Sequence, residues 1–396
     1  MIDRHRAGLL PDKPHIARRA PDGKLLYEEM LTRGGFGGAF SYFYHRFPVG
    51  AHRHTGVSHR GWPAPEADPS GPHPLRRRLY LSDRVEPLGM LVDRRLPILF
   101  NEDVTVLLGH AAATDDVYFA NGDGDELWFV RDGSARVESP CGWLDVKAGD
   151  YVWIPKAMVH RWHVPGGPAR MLCFEARGGV SIPAAFRNAV GQLRMDAPYT
   201  HRDFERPVGP IATIEAPLEG PRELIVKKHG TFTRYALDTP AMDVVGWEGF
   251  VYPVAFPIEK FQPRTGLVHL PPTVHATFEA PGLLVCSFVP RMLDTHPQAI
   301  PCPYPHSSVD CDEVILYLRG NFTSRRGVGP GAISLHPSGV VHGPHPGAYE
   351  ASIGATRTDE LAVMCDTFKP LAPTPQAANL EDRGYHESWL PAQEPA

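Results

Sequence analysis

From about Val104 the apolar positions fall in short runs: Leu127-Trp128-Phe129-Val130, Ala135-Arg136-Val137, Trp143-Leu144-Asp145-Val146 and Tyr151-Val152-Trp153-Ile154. Each is bounded by Gly, Pro or Asp, which predicts short strands joined by tight turns, as in a sandwich or barrel. The texture returns after about residue 245 at 266–269, 283–288, 314–318 and 332–336. Helical spacing is nowhere sustained, and residues 182–193 are the best helical candidate. Residues 49–78 read as an exposed loop or partly disordered segment, rich in Pro, Gly, Arg and His. His52-Arg53-His54 within it has a metal-binding look, but no carboxylate or predicted strand frames it. Gly34 to Gly38 reads as a backbone turn. It lacks the helix and the Lys-Ser/Thr pair that a phosphate cradle requires.

Composition sharpens this picture. The chain has 396 residues, enough for two domains or one doubled unit. Its 42 prolines and 38 glycines suit many strands and turns and disfavour a helical bundle. A net charge of −5 argues against general nucleic-acid binding, which draws on a basic excess. No apolar run is long enough for a membrane helix, and the first residues lack the apolar core of a signal peptide. The six cysteines form no C-x-x-C pair, so a zinc cassette or disulfide scaffold is not expected. A cytoplasmic, reducing location is the default expectation. The 20 histidines invite a search for metal ligands.

A motif occurs twice. Asp125-Glu126-Leu127 precedes Gly149, Pro155 and His160; Asp312-Glu313-Val314 precedes Gly331, Pro337 and His342. In both copies five residues separate the Gly from the Pro, and the His lies five after the Pro. The repeat resembles the paired motif blocks of the cupin superfamily, and the chain resembles a bicupin. That resemblance implies an all-β fold of two double-stranded β-helix, jelly-roll barrels with few short helices. It also implies a division at 1–225, with a metal-free barrel, and 226–396, with the metal site. Cupin sites take histidines and a glutamate from the first block and a histidine from the second. In the second half these positions hold His306, Glu313 and His342, with Ser308 where a further histidine is common. Two imidazoles and a carboxylate leave coordination positions open, as in non-haem Fe(II) oxygenases. In the first half Phe119 and Asn121 stand where histidines would be, so Glu126 and His160 lack partners. Asp312 competes with Glu313, because neighbours in a strand face opposite ways; motif register favours Glu313.

Residues 243–249, Pro303-Tyr304-Pro305-His306, Ser334-Leu335-His336, Val341-His342-Gly343-Pro344 and the closing Tyr385-His386-Glu387-Ser388-Trp389 are similar to homogentisate 1,2-dioxygenases. Tyr42-Phe43-Tyr44-His45-Arg46 fits more loosely. This resemblance implies a ring-cleaving, extradiol-type dioxygenase of tyrosine and phenylalanine breakdown. Its cofactor would be Fe(II), its co-substrate O2, its substrate a small aromatic acid, and its product from homogentisate maleylacetoacetate. A homo-oligomer, trimer or hexamer, follows by the same analogy; no nucleic-acid or membrane partner is expected. Carried over by position, His306, Glu313 and His342 hold the metal. His269 falls on the family's acid/base histidine, with His275 as a nearby competitor. His336 matches a further active-site histidine, Tyr304 a pocket tyrosine, and Arg325 a lysine near the substrate. His342 also borders the substrate. Phe322 stands where animal-type members carry a substrate-contacting tyrosine, which points to homogentisate or a related hydroquinone such as gentisate. Two other classes use the same ligands or fold: a metal-dependent cupin isomerase and a binding or storage bicupin.

Overall fold

The computed structural model describes residues 2–50, 52–71, 74–215, 217–322 and 327–390. Among these residues the α-helices are two four-residue turns, Ala348–Ala351 and Pro375–Ala378. Most of the remaining regular structure is β. The protein is all-β and carries two cupin barrels, as expected. Period-two alternation sets individual strands: in Gly142–Lys147, Leu144 and Val146 point inward while Asp145 and Lys147 are exposed. Strands covered on both faces are buried throughout, as in Asp150–Ile154.

The first barrel is built on a seven-stranded sheet. Val254–Pro257, Asp150–Ile154, Asp125–Asp132, Ala169–Ala176, Val104–Ala111, Arg95–Phe100 and Ala372–Pro373 lie side by side in that order. The second is built on a six-stranded sheet of Ala276–Ala280, Leu283–Phe288, Leu361–Thr367, Asp312–Arg319, Ala332–His336 and Arg78–Leu81. Each sheet thus takes an edge strand from the other end of the chain. The point 225/226 falls inside the strand Glu223–Lys228. Between the barrels, Tyr151 of the first packs edge-on against Phe278 of the second, with ring centroids 5.4 Å apart. Its hydroxyl lies 2.9 Å from the Ser287 hydroxyl. Tyr199, Phe204 and Phe256 complete this buried aromatic seam. Each such pair adds roughly 0.5–1.5 kcal/mol beyond the area it buries.

Three local expectations are corrected. Residues 182–193 do not form a helix beyond the single turn Ala184–Phe186. Pro183 is extended, Gly191 has φ 86°, and the Asn188 side chain accepts from the backbone N–H groups of Val190 and Gln192. That hydrogen bonding offers the backbone an alternative to helix. Residues 52–57, read as loop, form a strand paired antiparallel with Thr231–Leu237. Residues 266–269, read as strand, form a loop. The closing aromatic cluster does pack down: Tyr385 is buried, and Trp389 stacks on His345 at 3.8 Å beneath the Arg77 guanidinium.

Candidate metal centre

Strand Asp312–Arg319 fixes the choice of carboxylate. Asp312 faces outward and accepts the backbone N–H groups of Ser338 and Leu371, each at 2.7 Å. Both its oxygens are thereby occupied. Glu313, the next residue, faces the barrel interior. His306 and His342 lie on facing segments whose backbones bridge in both directions at 2.8 Å. The donor atoms of His306, Glu313 and His342 all lie within 4.8 Å of one another. Among the described residues this is the group of three such side chains spaced to hold a metal ion. The sequence assembled the same set from spacing and resemblance.

The ring orientations fit a metal. Nδ1 of His306 donates to the Tyr304 carbonyl at 3.2 Å, and Nδ1 of His342 donates to the Val340 carbonyl at 3.0 Å. A carbonyl only accepts, so each Nδ1 carries the proton and each Nε2 keeps its lone pair. That arrangement fixes tautomer and orientation in metal-binding histidines. Glu313 has its own brace: His336, its register partner on Ala332–His336, places Nδ1 2.6 Å from Oε1. Nε2 of His336 lies 3.3 Å from the Tyr385 hydroxyl. On the other side of Glu313 stands Asp366. Burial pushes the Asp366 carboxyl up to about 7, and the Glu313 charge adds to it.

A cavity of about 280 Å³ opens on His306 and Glu313. It is close to the roughly 300 Å³ lower end of small-molecule sites and suits a single-ring ligand. His269, His275 and Tyr304 line it, together with Tyr317 and Phe322. His269 is half-buried, with its ring 5.1 Å from that of Tyr304. His275 is buried between Phe288 and Phe261. Burial, with the Arg291 charge adding, pushes its imidazole down to about 3, so it is neutral near pH 7. Phe322 meets Tyr317 edge-on at 4.8 Å, and the Tyr317 hydroxyl lies 3.1 Å from that of Ser334. Arg325 lies outside the described residues. Sequence reasoning missed Arg291, Tyr317, Glu360 and Asp366, because none belongs to a spaced motif. Alternation alone could have turned Tyr317 and Ile315 to the same face as Glu313.

The first barrel repeats this frame with different contents. Phe119 and His160 bridge as His306 and His342 do. Asp125 accepts from Lys156 N–H as Asp312 does from Ser338. Glu126, however, is ion-paired to the fully buried guanidinium of Arg95. Asn121 and Trp128 also donate to it, each at 2.9 Å. Arg95 lies over the Trp62 and Phe119 rings at 4.4 and 4.5 Å. The barrel therefore pairs its glutamate with an internal organic cation.

Fold, repeat and donor set define a bicupin whose second barrel carries, among the described residues, a His-Glu-His group spaced to hold a metal ion. Residues 101–258 match the family model described as "Homogentisate 1,2-dioxygenase N-terminal". A Saccharolobus solfataricus protein, provisionally named a dioxygenase, is 34% identical over 98% of this chain and 99% of its own length. A homogentisate 1,2-dioxygenase of Bradyrhizobium diazoefficiens is 29% identical over 69% of this chain, an alignment that spans 63% of that enzyme. A solved cupin 2 barrel protein of Leptotrichia buccalis aligns with 70% of this chain and 88% of its own at TM-score 0.31 and 9% identity, too loosely to carry detail. The chain belongs to the homogentisate 1,2-dioxygenase family.

Proposed function

We propose that this protein is an Fe(II)-dependent ring-cleaving dioxygenase acting on a small dihydroxylated aromatic acid, homogentisate first. The observation that carries the reading is the convergence of His306, Glu313 and His342 beside a cavity sized for one ring. His306 and His342 present Nε2, and Glu313 presents a carboxylate oxygen. When bound, ferrous ion supplies a common site for phenol and dioxygen and a path for electron density between them. His336 holds Glu313 in place. His269 takes the phenolic proton on a ring nitrogen and later returns it, a role imidazole suits near neutral pH. Tyr304 lies against His269 on the cavity wall, where it can meet the substrate ring. Arg325 is the resemblance's candidate partner for the acid arm. With both oxygen atoms incorporated, homogentisate yields maleylacetoacetate, which places the reaction in tyrosine and phenylalanine breakdown.

Residues 1–225 act in this reading as a metal-free scaffold and 226–396 carry the iron. A cytoplasmic homo-oligomer, trimer or hexamer, completes it by analogy with the family. Phe322, buried against Tyr317, removes a hydroxyl from the pocket wall and favours testing related hydroquinones. Purified protein is loaded anaerobically with Fe(II), mixed with homogentisate and opened to air. Oxygen uptake with the absorbance of the enol product supports the proposal. Absent uptake, with iron confirmed in the site, overturns it. Parallel runs with gentisate and hydroquinone rank the substrates.

A further inference from the structure

His275 and Arg291 form a polar corner of the metal cavity that the proposed chemistry does not use. Both line the space that His306 and Glu313 face, and both flank the ring of Phe288. Arg291 is held in place: Nη2 donates to Glu360 at 2.7 Å and Nη1 to the Val289 carbonyl at 3.1 Å. The guanidinium is a fork of five N–H donors, so these bonds orient it without exhausting it. His275 is 6% exposed, and its Nδ1 is sealed in protein without a hydrogen-bond partner. A sealed N–H without an acceptor is rarer than an unfilled acceptor, so Nδ1 is the bare nitrogen and Nε2 carries the proton. Because the ring borders the cavity while Nδ1 is sealed, Nε2–H is the group left to meet a ligand.

We propose, resting on the dioxygenase reading, that His275 Nε2–H and Arg291 together anchor the carboxylate of the substrate's acid arm and so select aromatic acids over plain hydroquinones. Two donors, one of them cationic, lie on the same cavity wall about Phe288, which suits a carboxylate oxygen pair. The low basicity of His275 keeps it a neutral donor across the working pH range. Glu360 fixes the angle of the fork and limits its net charge, so the corner favours a ligand that makes directional hydrogen bonds. A buried donor left empty by a ligand lacking the arm is costly, and that cost produces the selectivity.

The test measures binding rather than turnover. Protein loaded anaerobically with Zn(II) is titrated with homogentisate and with methylhydroquinone, which keeps both hydroxyls and lacks the carboxylate. His275→Phe and Arg291→Gln should each weaken homogentisate by roughly 10- to 100-fold while methylhydroquinone changes less than about twofold. Arg291→Lys should restore part of the loss. Equal weakening of both ligands overturns the inference, because it marks a role in pocket shape alone. Silent variants at 275 and 291, with the loss appearing in Arg325→Gln, also overturn it. His275→Phe keeps the test decisive if Arg291→Gln does not fold. A protein that shows this carboxylate dependence yet consumes no oxygen with iron overturns the dioxygenase reading and leaves the corner standing. One that cleaves homogentisate without the dependence overturns the corner alone.

Discussion

Asp312 and Glu313 are adjacent, chemically alike and both buried, yet the fold gives them different work. Strand geometry turns Asp312 to the loop before His342, where it ties down Ser338 N–H, and turns Glu313 to the histidines. Glu313→Ala should abolish iron retention in the C-terminal barrel. Asp312→Ala should keep iron but lower the melting temperature, since the buried Leu371 N–H loses its acceptor at about 1–3 kcal/mol and the part-buried Ser338 N–H loses its acceptor at a smaller cost. Metal analysis after dialysis, paired with a thermal melt, separates the two; iron loss in Asp312→Ala alone would reverse the assignment. The pair also marks a limit of reading residues in line. Motif spacing named Glu313, but only the hydrogen bonds to Ser338 and Leu371 explain why its neighbour is there.

Elements are joined by a partly buried charge cluster away from the candidate metal site. His45, at the end of Phe40–His45, lies 2.6 Å from Asp243 and 3.0 Å from Glu29 of Tyr27–Thr32. Burial works against its charge, but the two carboxylates outweigh that and raise the imidazole to about 9. A group raised above its unfolded range stabilises the fold fully below that range and loses the contribution as pH rises through the folded value. Thermal stability of the wild type should therefore decline between about pH 6.5 and pH 9. His45→Gln should be less stable at pH 6 and show a flatter profile across that window. An unchanged slope in the variant would remove His45 from the account. At this scale the sequence showed much: the strands at 125–132, 134–139, 142–147, 150–154, 283–288, 312–319 and 332–336 all carry the expected runs. It failed at 52–57, an exposed strand whose partner, Thr231–Leu237, lies far along the chain. Local alternation has no apolar face to report there.

The whole molecule is stitched by exchanged strands. Arg78–Leu81 closes the C-terminal sheet, while Val254–Pro257 and Ala372–Pro373 close the edges of the N-terminal one. The aromatic seam around Tyr151 and Phe278 lies between them. Fragments 1–225 and 226–396 expressed separately should each leave sheet edges and apolar area uncovered. Neither should show a cooperative melt, and 226–396 should not retain Fe(II); a fragment that melts cooperatively and binds iron would show independent barrels.

What the sequence determined by itself is the part written at short range or by repetition: the β class, the doubled motif and the triad of His306, Glu313 and His342. Strand periodicity is local, and two copies of one motif constrain each other. Tertiary structure alone decided that Arg95 faces Glu126 in the first barrel, that Asp366 stands beside Glu313, and that His275 and Arg291 share one cavity wall. Those pairings join residues whose spacing follows no period. Barrel closure brings them together, and only in the closed barrel does burial set which of them carry charge.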